Sequence, residues 1–168
     1  PWAVIAGGAQ GIGAAYARHL AQRGLKLIII DRSAEALQVI AAELVQAHGT
    51  ECATLQLDLA DADRLAQLLP VIAGREVGML VYNAALADVG PFYKMETGLA
   101  LERRRIAVNV TGPLELVYAL GKPMLARGRG GIILMSSGAG LQGAPYYAHY
   151  AATKAYAITL AESLWHEF

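Results

Sequence analysis

Trp2-Ala3-Val4-Ile5-Ala6-Gly7-Gly8-Ala9-Gln10-Gly11-Ile12-Gly13 lies at the start of the sequence, and its reading decides the fold. Residues 2–6 are an uninterrupted apolar run of strand length. Gly7, Gly11 and Gly13 follow in G-x-x-x-G-x-G spacing, and Ala14 to Arg23 then reads as a helix. Strand, glycine turn and helix in this order suit a dinucleotide: backbone N–H groups at a helix start attract a pyrophosphate, and glycine lets it approach closely. The spacing differs from the G-x-G-x-x-G fingerprint of other dinucleotide turns.

Working outward, Leu25 to Ile30 reads as a second strand ending at Asp31, eighteen residues beyond Gly13. A carboxylate there accepts hydrogen bonds from both ribose hydroxyls of an adenosine and repels a 2′-phosphate, which favours NAD. Arg32 pulls the other way, because a guanidinium beside the ribose binds that phosphate, so NADP stays possible. Ser33 is placed as the N-cap of a helix running to about Ala47 and ended by His48-Gly49. A third strand, Glu51 to Leu57, stops at Asp58-Leu59, and Asp61 is placed as the cap of a helix reaching about Ala73. Val77 to Tyr82 makes a fourth strand and leads into Asn83-Ala84-Ala85, where the Asn83 amide can tie neighbouring loops together.

Leu86 to Met95 reads as a loop around Gly90-Pro91 that forms one wall of a substrate pocket, with Phe92, Tyr93 and Met95 either on that wall or covering the core. A long helical region follows, from about Thr97 to Arg127. Within it Pro113 lacks the N–H that the carbonyl of Asn109 takes in an α-helix, and one oxygen loses its partner in mid-helix. Gly131 to Met135 supplies a fifth strand with Ser137 at its carboxyl end. From His149 onward a last helix stacks Tyr150 and Lys154 on one face, at i and i+4. A free phenol, ionising near ~10, carries protons poorly at neutral pH, and a neighbouring ammonium favours the phenolate. A serine hydroxyl from the preceding strand end can hold a reacting oxygen against such a tyrosine. His149 points about 100° away from Tyr150 around the helix, which places it at the surface or in a subunit contact. Leu141, Ala144, Pro145, Tyr146 and Tyr147 are placed on the substrate side of the cleft.

Alternating strands and helices predict an α/β fold of Rossmann type: a doubly wound parallel sheet, strand order 3-2-1-4-5, with helices on both faces. Every strand's carboxyl end then falls on one rim, where the glycine turn, Asp31, Asn83 and Ser137 converge.

Ser137, then Tyr150 thirteen residues on and Lys154 four further, resemble the short-chain dehydrogenase/reductase family, and with the glycine spacing the resemblance spans nearly the whole chain. Two positions depart from the family pattern: Ala6 stands where a threonine is usual before the turn, and Ala85 where the family shows Asn-Ala-Gly. The resemblance implies catalytic roles for Asn109, Ser137, Tyr150 and Lys154, with the backbone of Asn109 anchoring a water that relays protons to the lysine. It implies cofactor binding by Gly7, Gly11, Ile12, Gly13, Asp31, Arg32, Asp58, Leu59, Asn83, Tyr150 and Lys154, Asp58-Leu59 lying against the adenine. The implied activity is hydride transfer between a nicotinamide dinucleotide and a secondary alcohol or ketone. A 3-oxoacyl-thioester reductase is the alternative within the family, and a dinucleotide-binding regulator without turnover the alternative outside it. A homodimer or homotetramer is implied, as is a longer protein, this chain being one Rossmann domain truncated after the fifth strand and its following helix.

Composition bounds these readings. Across 168 residues 55% are hydrophobic and 17% charged, with zero formal net charge. Such a chain buries a substantial core and is not disordered. Arg103-Arg104-Arg105, the one basic tract, is read as a solvated helix face, which leaves no nucleic-acid partner expected. The lone Cys52 forms no internal disulfide and is read as a small buried strand residue. No apolar run approaches the ~18 residues of a membrane helix, so a soluble, cytoplasmic protein without a membrane partner is expected.

Overall fold

The computed structural model describes residues 1–93 and 98–168; the expectations for Met95 and for a helix start at Thr97 lie outside them. Among the described residues five parallel strands form one sheet in the order β3-β2-β1-β4-β5. They are β1 (Trp2–Ala6), β2 (Lys26–Asp31), β3 (Cys52–Gln56), β4 (Val77–Tyr82) and β5 (Gly131–Leu134). The described residues also form six α-helices, one after each of the first three strands, two between the fourth and fifth, and one after the fifth: α1 (Gly11–Gln22), α2 (Ala34–His48), α3 (Arg64–Ile72), α4 (Gly98–Ile106), α5 (Gly112–Ala126) and α6 (Ala148–Glu167). Among the described residues no helix is long and apolar enough to cross a membrane.

The apolar runs of β1 and β2 become strands because both their faces are covered. Ala3, Ile5, Leu27 and Ile29 pack against Ala17 and Leu20 of α1 and Leu37, Ile40 and Leu44 of α2. Val4, Ala6, Ile28 and Ile30 face the opposite way, onto Leu68 of α3 and Leu116, Leu120 and Met124 of α5. Ile28, Ile29 and Ile30 are wholly buried, each contributing about 1.5–3 kcal/mol of burial free energy. Cys52 sits half-buried at the start of β3, and burial pushes its thiol up to about 11.

Local signals set several boundaries where the sequence places them. Ser33 Oγ accepts the Ala36 N–H at 3.2 Å to cap α2, and Gly49 ends that helix at φ +62°. Asp61 does not cap α3. Its N–H donates to the Asp58 carbonyl, its own carbonyl accepts from Arg64, and Asp58 Oδ1 accepts the Ala60 N–H at 2.9 Å, so residues 58–61 form a turn before the helix. Buried Arg64 then fixes that turn, donating to the Leu59 carbonyl and pairing at 2.8 Å with Glu115 of α5.

The long helical region is interrupted, and the interruption differs from a simple kink. Residues Ala107–Thr111 form a π-helical turn between α4 and α5. The Gly112 N–H bonds to Ala107 rather than Val108, which turns the Val108 carbonyl over to the Tyr82 hydroxyl at 2.6 Å. A Cβ on Gly112 would lie 2.2 Å from that hydroxyl oxygen, so only glycine admits the contact. Pro113, lacking an N–H, is what prevents the ordinary ladder from resuming across Asn109.

Strand register brings the carboxyl ends to one level: Ala6 pairs with Ile30 on one side and Tyr82 on the other. Beyond that level the backbone links continue, Gly7 N–H to Ile30, Asn83 and Ala84 N–H to Ala6, and Met135 N–H to Tyr82. The glycine turn, the loop after β4 and the Ser136-Ser137 segment therefore share a rim.

Candidate active site

The glycine turn is built around a close backbone crossing. Gly7 (φ +74°) and Gly11 (φ +54°) occupy the left-handed region that side chains disfavour. Gly13 lies against the Gly7 carbonyl, 1.9 Å from where its Cβ would be. Asn83 Nδ2 donates to that same carbonyl at 2.9 Å, joining the loop after β4 to the turn as its amide suggests. Gln10, at the start of α1, makes no side-chain cap, and the first N–H groups of the helix are left for an anion.

A cleft of about 320 Å³ opens beside this turn, lined among others by Gly7, Asp31, Arg32, Asp58, Leu59 and Asn83. Six of the cofactor-binding residues assigned by the sequence thus meet in one place. Gly11 and Ile12 sit exposed at the helix start and Gly13 is buried behind it, so these three frame the turn rather than line the cleft. Asp31 accepts from the Ala9 N–H at 3.1 Å and the Ser33 N–H at 3.3 Å, which orients its carboxylate at the end of β2. A dinucleotide fits this donor set: positive backbone at the uncapped helix, an acid at the ribose position, and glycine at positions 7 and 11 of the turn.

Asp58 is not simply a group facing an adenine. It pairs with Arg104 of α4, which also lines the cleft. Burial pushes its carboxyl up, but the Ala60 N–H, Arg104 and, more weakly, Arg32 outweigh that and hold it below its ordinary 3.8. The Arg103–Arg105 tract is accordingly not one solvated face. Consecutive positions turn by about 100°, so Arg103 is exposed, Arg104 reaches the cleft and Arg105 is buried. Arg105 pairs with Glu102, which also receives His149 Nδ1. His149, placed by the sequence at the surface or in a subunit contact, is tied from the first turn of α6 to Glu102 of α4. Glu102 and Arg105 pair at i and i+3 on one helix, but their contacts to His149 and the Asp88 loop, and that of Arg104 to Asp58, reach 17 or more residues along the chain and left no signal in the sequence.

Glu102 is also held below its ordinary 4.5: burial raises it, and its bonds to His149 and Arg105 outweigh the rise. For Asp58 and Glu102 alike the folded state binds the proton more weakly than the unfolded chain. The stability they contribute is complete above about pH 5 and is lost as pH falls through their folded values. Melting curves between pH 6 and pH 3 should therefore show a smaller acid-induced drop in Asp58→Asn than in the wild type. Equal drops would mean that the Arg104 pairing does not set the Asp58 carboxyl.

On the other side of the rim, Lys154 is 4% exposed. Its Nζ donates to the Met135 carbonyl just past β5 at 2.8 Å and lies 5.8 Å from the centre of the Tyr150 ring. Burial lowers its ammonium below the ordinary lysine value. Ser136 Oγ donates to the Lys154 carbonyl at 2.8 Å. A Cβ on Gly140 would lie 2.7 Å from the Lys154 backbone, so the short 3-10 turn Gly138–Gly140 packs directly on α6. Ser137 caps that turn, its Oγ accepting the Ala139 N–H at 3.2 Å, which leaves its hydrogen to donate outward. Tyr150 is half-buried, with the Tyr147 ring 6.3 Å away. Tyr146 and Tyr147 line a small cavity with Tyr150, Arg105 and His149, and Leu141 stands 77% exposed.

Asn109 joins the two sides through its side chain. Oδ1 accepts the Leu86 N–H at 2.8 Å, and Nδ2 donates to the Leu86 carbonyl and to Thr153 Oγ1, at 3.1 and 3.0 Å. Thr153 in turn donates to the Tyr150 carbonyl at 2.8 Å. The loop after β4, the π-helical turn and the helix carrying Tyr150 are thus one hydrogen-bonded unit.

Comparison with known proteins agrees with this arrangement. The family model described as short chain dehydrogenase matches residues 1–168. The chain is 34% identical over 164 residues to 17-beta-hydroxysteroid dehydrogenase type 3 of Rattus norvegicus, covering 97% of this chain and 53% of that protein. It is 30% identical over 169 residues to the very-long-chain 3-oxoacyl-CoA reductase of Macaca fascicularis, covering 99% and 54%. The chain therefore spans about half the length of the curated relatives it matches. Among solved structures, the bulky-bulky ketone specific alcohol dehydrogenase from Comamonas testosteroni superposes with a TM-score of 0.92 at 28% identity, over 99% of this chain and 67% of that one. A short-chain dehydrogenase from Sphingobium yanoikuyae in complex with NADPH superposes with a TM-score of 0.92 at 30% identity, over 99% and 65%.

Proposed function

The chain belongs to the short-chain dehydrogenase family, and from that premise we propose that it carries the cofactor site and proton donor of an oxidoreductase interconverting a secondary alcohol and a ketone. The observation behind this reading is Lys154. An ammonium 4% exposed inside a fold with a complete apolar core costs free energy that a leucine there would not. It is anchored on the Met135 carbonyl with Tyr150 beside it.

In this reading Tyr150 gives its proton to the carbonyl oxygen during reduction, or takes the alcohol proton during oxidation. Lys154 holds its ammonium beside the Tyr150 ring. Ser137, its Oγ already accepting from Ala139, donates its O–H to the reacting oxygen and holds it against Tyr150. Asn109 fixes the distance between the Leu86 loop and the tyrosine helix, and its backbone carbonyl, short of its α-helical donor at Pro113, anchors the water of a proton relay. A bound nicotinamide group supplies or accepts the hydride at the substrate carbon. Gly7, Gly11, Ile12 and Gly13 frame its pyrophosphate, and Asp31, Arg32, Asp58 and Leu59 surround its adenosine.

NAD is the proposed cofactor, because the oriented carboxylate of Asp31 disfavours a 2′-phosphate while Arg104, the cation across the cleft, is engaged by Asp58. Relatives of known structure hold NADPH or NADP, so the preference needs its own measurement. Asp31→Asn keeps an acceptor for the Ala9 N–H and removes the charge. Two charges about 4 Å apart near a surface interact by roughly 1–4 kcal/mol, so the NADP-to-NAD ratio of kcat/KM should rise about tenfold or more. A wild type that already prefers NADP would overturn the assignment.

A second substrate reading, a 3-oxoacyl thioester, is favoured by the 30% identity to a 3-oxoacyl-CoA reductase. Steady-state NADH oxidation by the full-length protein with cyclic bulky ketones and with 3-oxoacyl thioesters separates the two. Turnover of neither class would defeat the proposed function.

A further inference from the structure

The start of α6 carries Tyr150 yet has no cap of its own. Tyr147, at the N-cap position, makes no side-chain hydrogen bond, and no acidic residue lies in the first turn. Tyr146 just before it holds φ +68°, a conformation that costs a bulky residue about 1–3 kcal/mol. Something outside the helix must hold this segment. Two lateral links do so: the Gly90 N–H donates to the Tyr146 carbonyl at 2.9 Å, and His149 Nδ1 meets Glu102 of α4.

The second link ends on a buried cation. Arg105 is 2% exposed, pairs through Nη1 with the same Glu102 oxygen, and donates from Nη2 to the Asp88 carbonyl at 2.5 Å, while its Nε has no protein partner. Glu102 is an ionised acceptor, so the Nδ1 atom of His149 must carry the hydrogen and donate it. Asp88 and Gly90 belong to the loop after β4, and that loop, Arg105, His149 and Tyr150 enclose a water-sized cavity of about 10 Å³. His149 thus reaches the loop in two steps, from the side of the helix turned away from the reacting face.

We propose that His149 is a positioning residue for Tyr150: Glu102 and Arg105 tie it to the loop after β4 and so fix the tyrosine hydroxyl relative to that wall of the substrate cleft. The role rests on the proposed function, since it serves the proton donor assigned there. It explains an expensive feature that the fold alone does not require, a buried guanidinium whose three neighbours are a carboxylate, a loop carbonyl and, through Glu102, the residue preceding the proton donor. Misplacement of a catalytic group by about 1 Å can cost up to about a hundredfold in rate.

The test compares His149→Leu with His149→Asn in the full-length protein, reading kcat, KM, NADH affinity and amide hydrogen exchange over 86–93 and 144–150. In the Leu variant kcat should fall about tenfold or more with NADH affinity unchanged, and exchange should rise in both segments together. Asn, whose amide N–H reaches toward Glu102, should restore kcat to within about threefold and restore exchange protection. Wild-type kcat in the Leu variant would overturn the positioning role whatever the exchange shows, and so would failure of Asn to restore it. If the wild type turns over no substrate, the proposed function fails by itself. Exchange then decides for the clamp: a joint rise upholds it, and no rise overturns it.

Discussion

Replacing Tyr150 with phenylalanine is expected to lower kcat of the full-length protein by about 10²- to 10⁴-fold while NADH affinity stays within about twofold. The change deletes one oxygen and leaves the ring, so the 6.3 Å contact with Tyr147 and the position of Lys154 over the ring survive. The helix is held by links that do not involve the phenol: Thr153 to the Tyr150 carbonyl, Asn109 to Thr153, and Ser136 to the Lys154 carbonyl. What disappears is the group that exchanges a proton with the substrate oxygen. At 1.36 kcal/mol per decade the expected loss corresponds to roughly 3–5 kcal/mol of barrier, larger than any packing effect of removing one half-buried hydroxyl. A Phe variant with wild-type kcat would remove Tyr150 from the chemistry. A variant that lost cofactor binding and turnover together would give the hydroxyl a binding role instead.

The other large effect is expected at the glycine turn. Gly13→Ala places a methyl 1.9 Å from the Gly7 carbonyl oxygen and 2.9 Å from Asn83 Nδ2, both rigid or tethered neighbours. The turn must open to admit it, which breaks the Asn83 bond and moves the start of α1 away from the cleft. Overpacking of this kind costs about 1–3 kcal/mol or more in stability, and loss of the turn's shape should weaken NADH binding by at least about a hundredfold. Gly11→Ala is the control, since no atom lies within 4 Å of its Cβ position. Its penalty to the fold is the φ of +54° alone, about 1–2 kcal/mol. Isothermal titration of the two variants should rank Gly13→Ala as far the more damaging. Equal binding in both would mean that the crossing at Gly7 does not shape the nucleotide site.

Much of this architecture was legible because it rests on local rules. The apolar runs at 2–6 and 26–31, the cap at Ser33 and the left-handed Gly49 each declare themselves within a few residues. Their alternation leads to the observed strand order, and the sheet's common rim gathers Asp31, Asp58 and Asn83 without further information. The irregularity near Asn109 was visible as a missing N–H at Pro113, but not its form. A π-helical turn needs a taker for the displaced Val108 carbonyl, and that taker, Tyr82, lies 26 residues back on another element. The asparagine's side-chain bonds were hidden for the same reason. Consecutive arginines also look alike in sequence. Arg105 pairs with Glu102 one turn back on its own helix, but only the seating of α4 against its neighbours decides that this pair is buried against His149 while Arg104 faces Asp58. Long-range charge pairing depends on how helices seat, and local pattern carries no record of it.

Deuterium transfer is the most direct measurement of the chemistry assigned to this rim. The full-length protein would be incubated with NADH deuterated at C4 of the nicotinamide and with the ketone it reduces best, and the product alcohol analysed by mass spectrometry and NMR. The expected result is one deuterium on the carbinol carbon with the wild type, and labelled alcohol formed about 10²- to 10⁴-fold more slowly with Tyr150→Phe under the same conditions. An alcohol formed without deuterium at that carbon from either C4 face, or a fully labelled alcohol from the Phe variant at the wild-type rate, would contradict hydride transfer paired with proton donation from Tyr150.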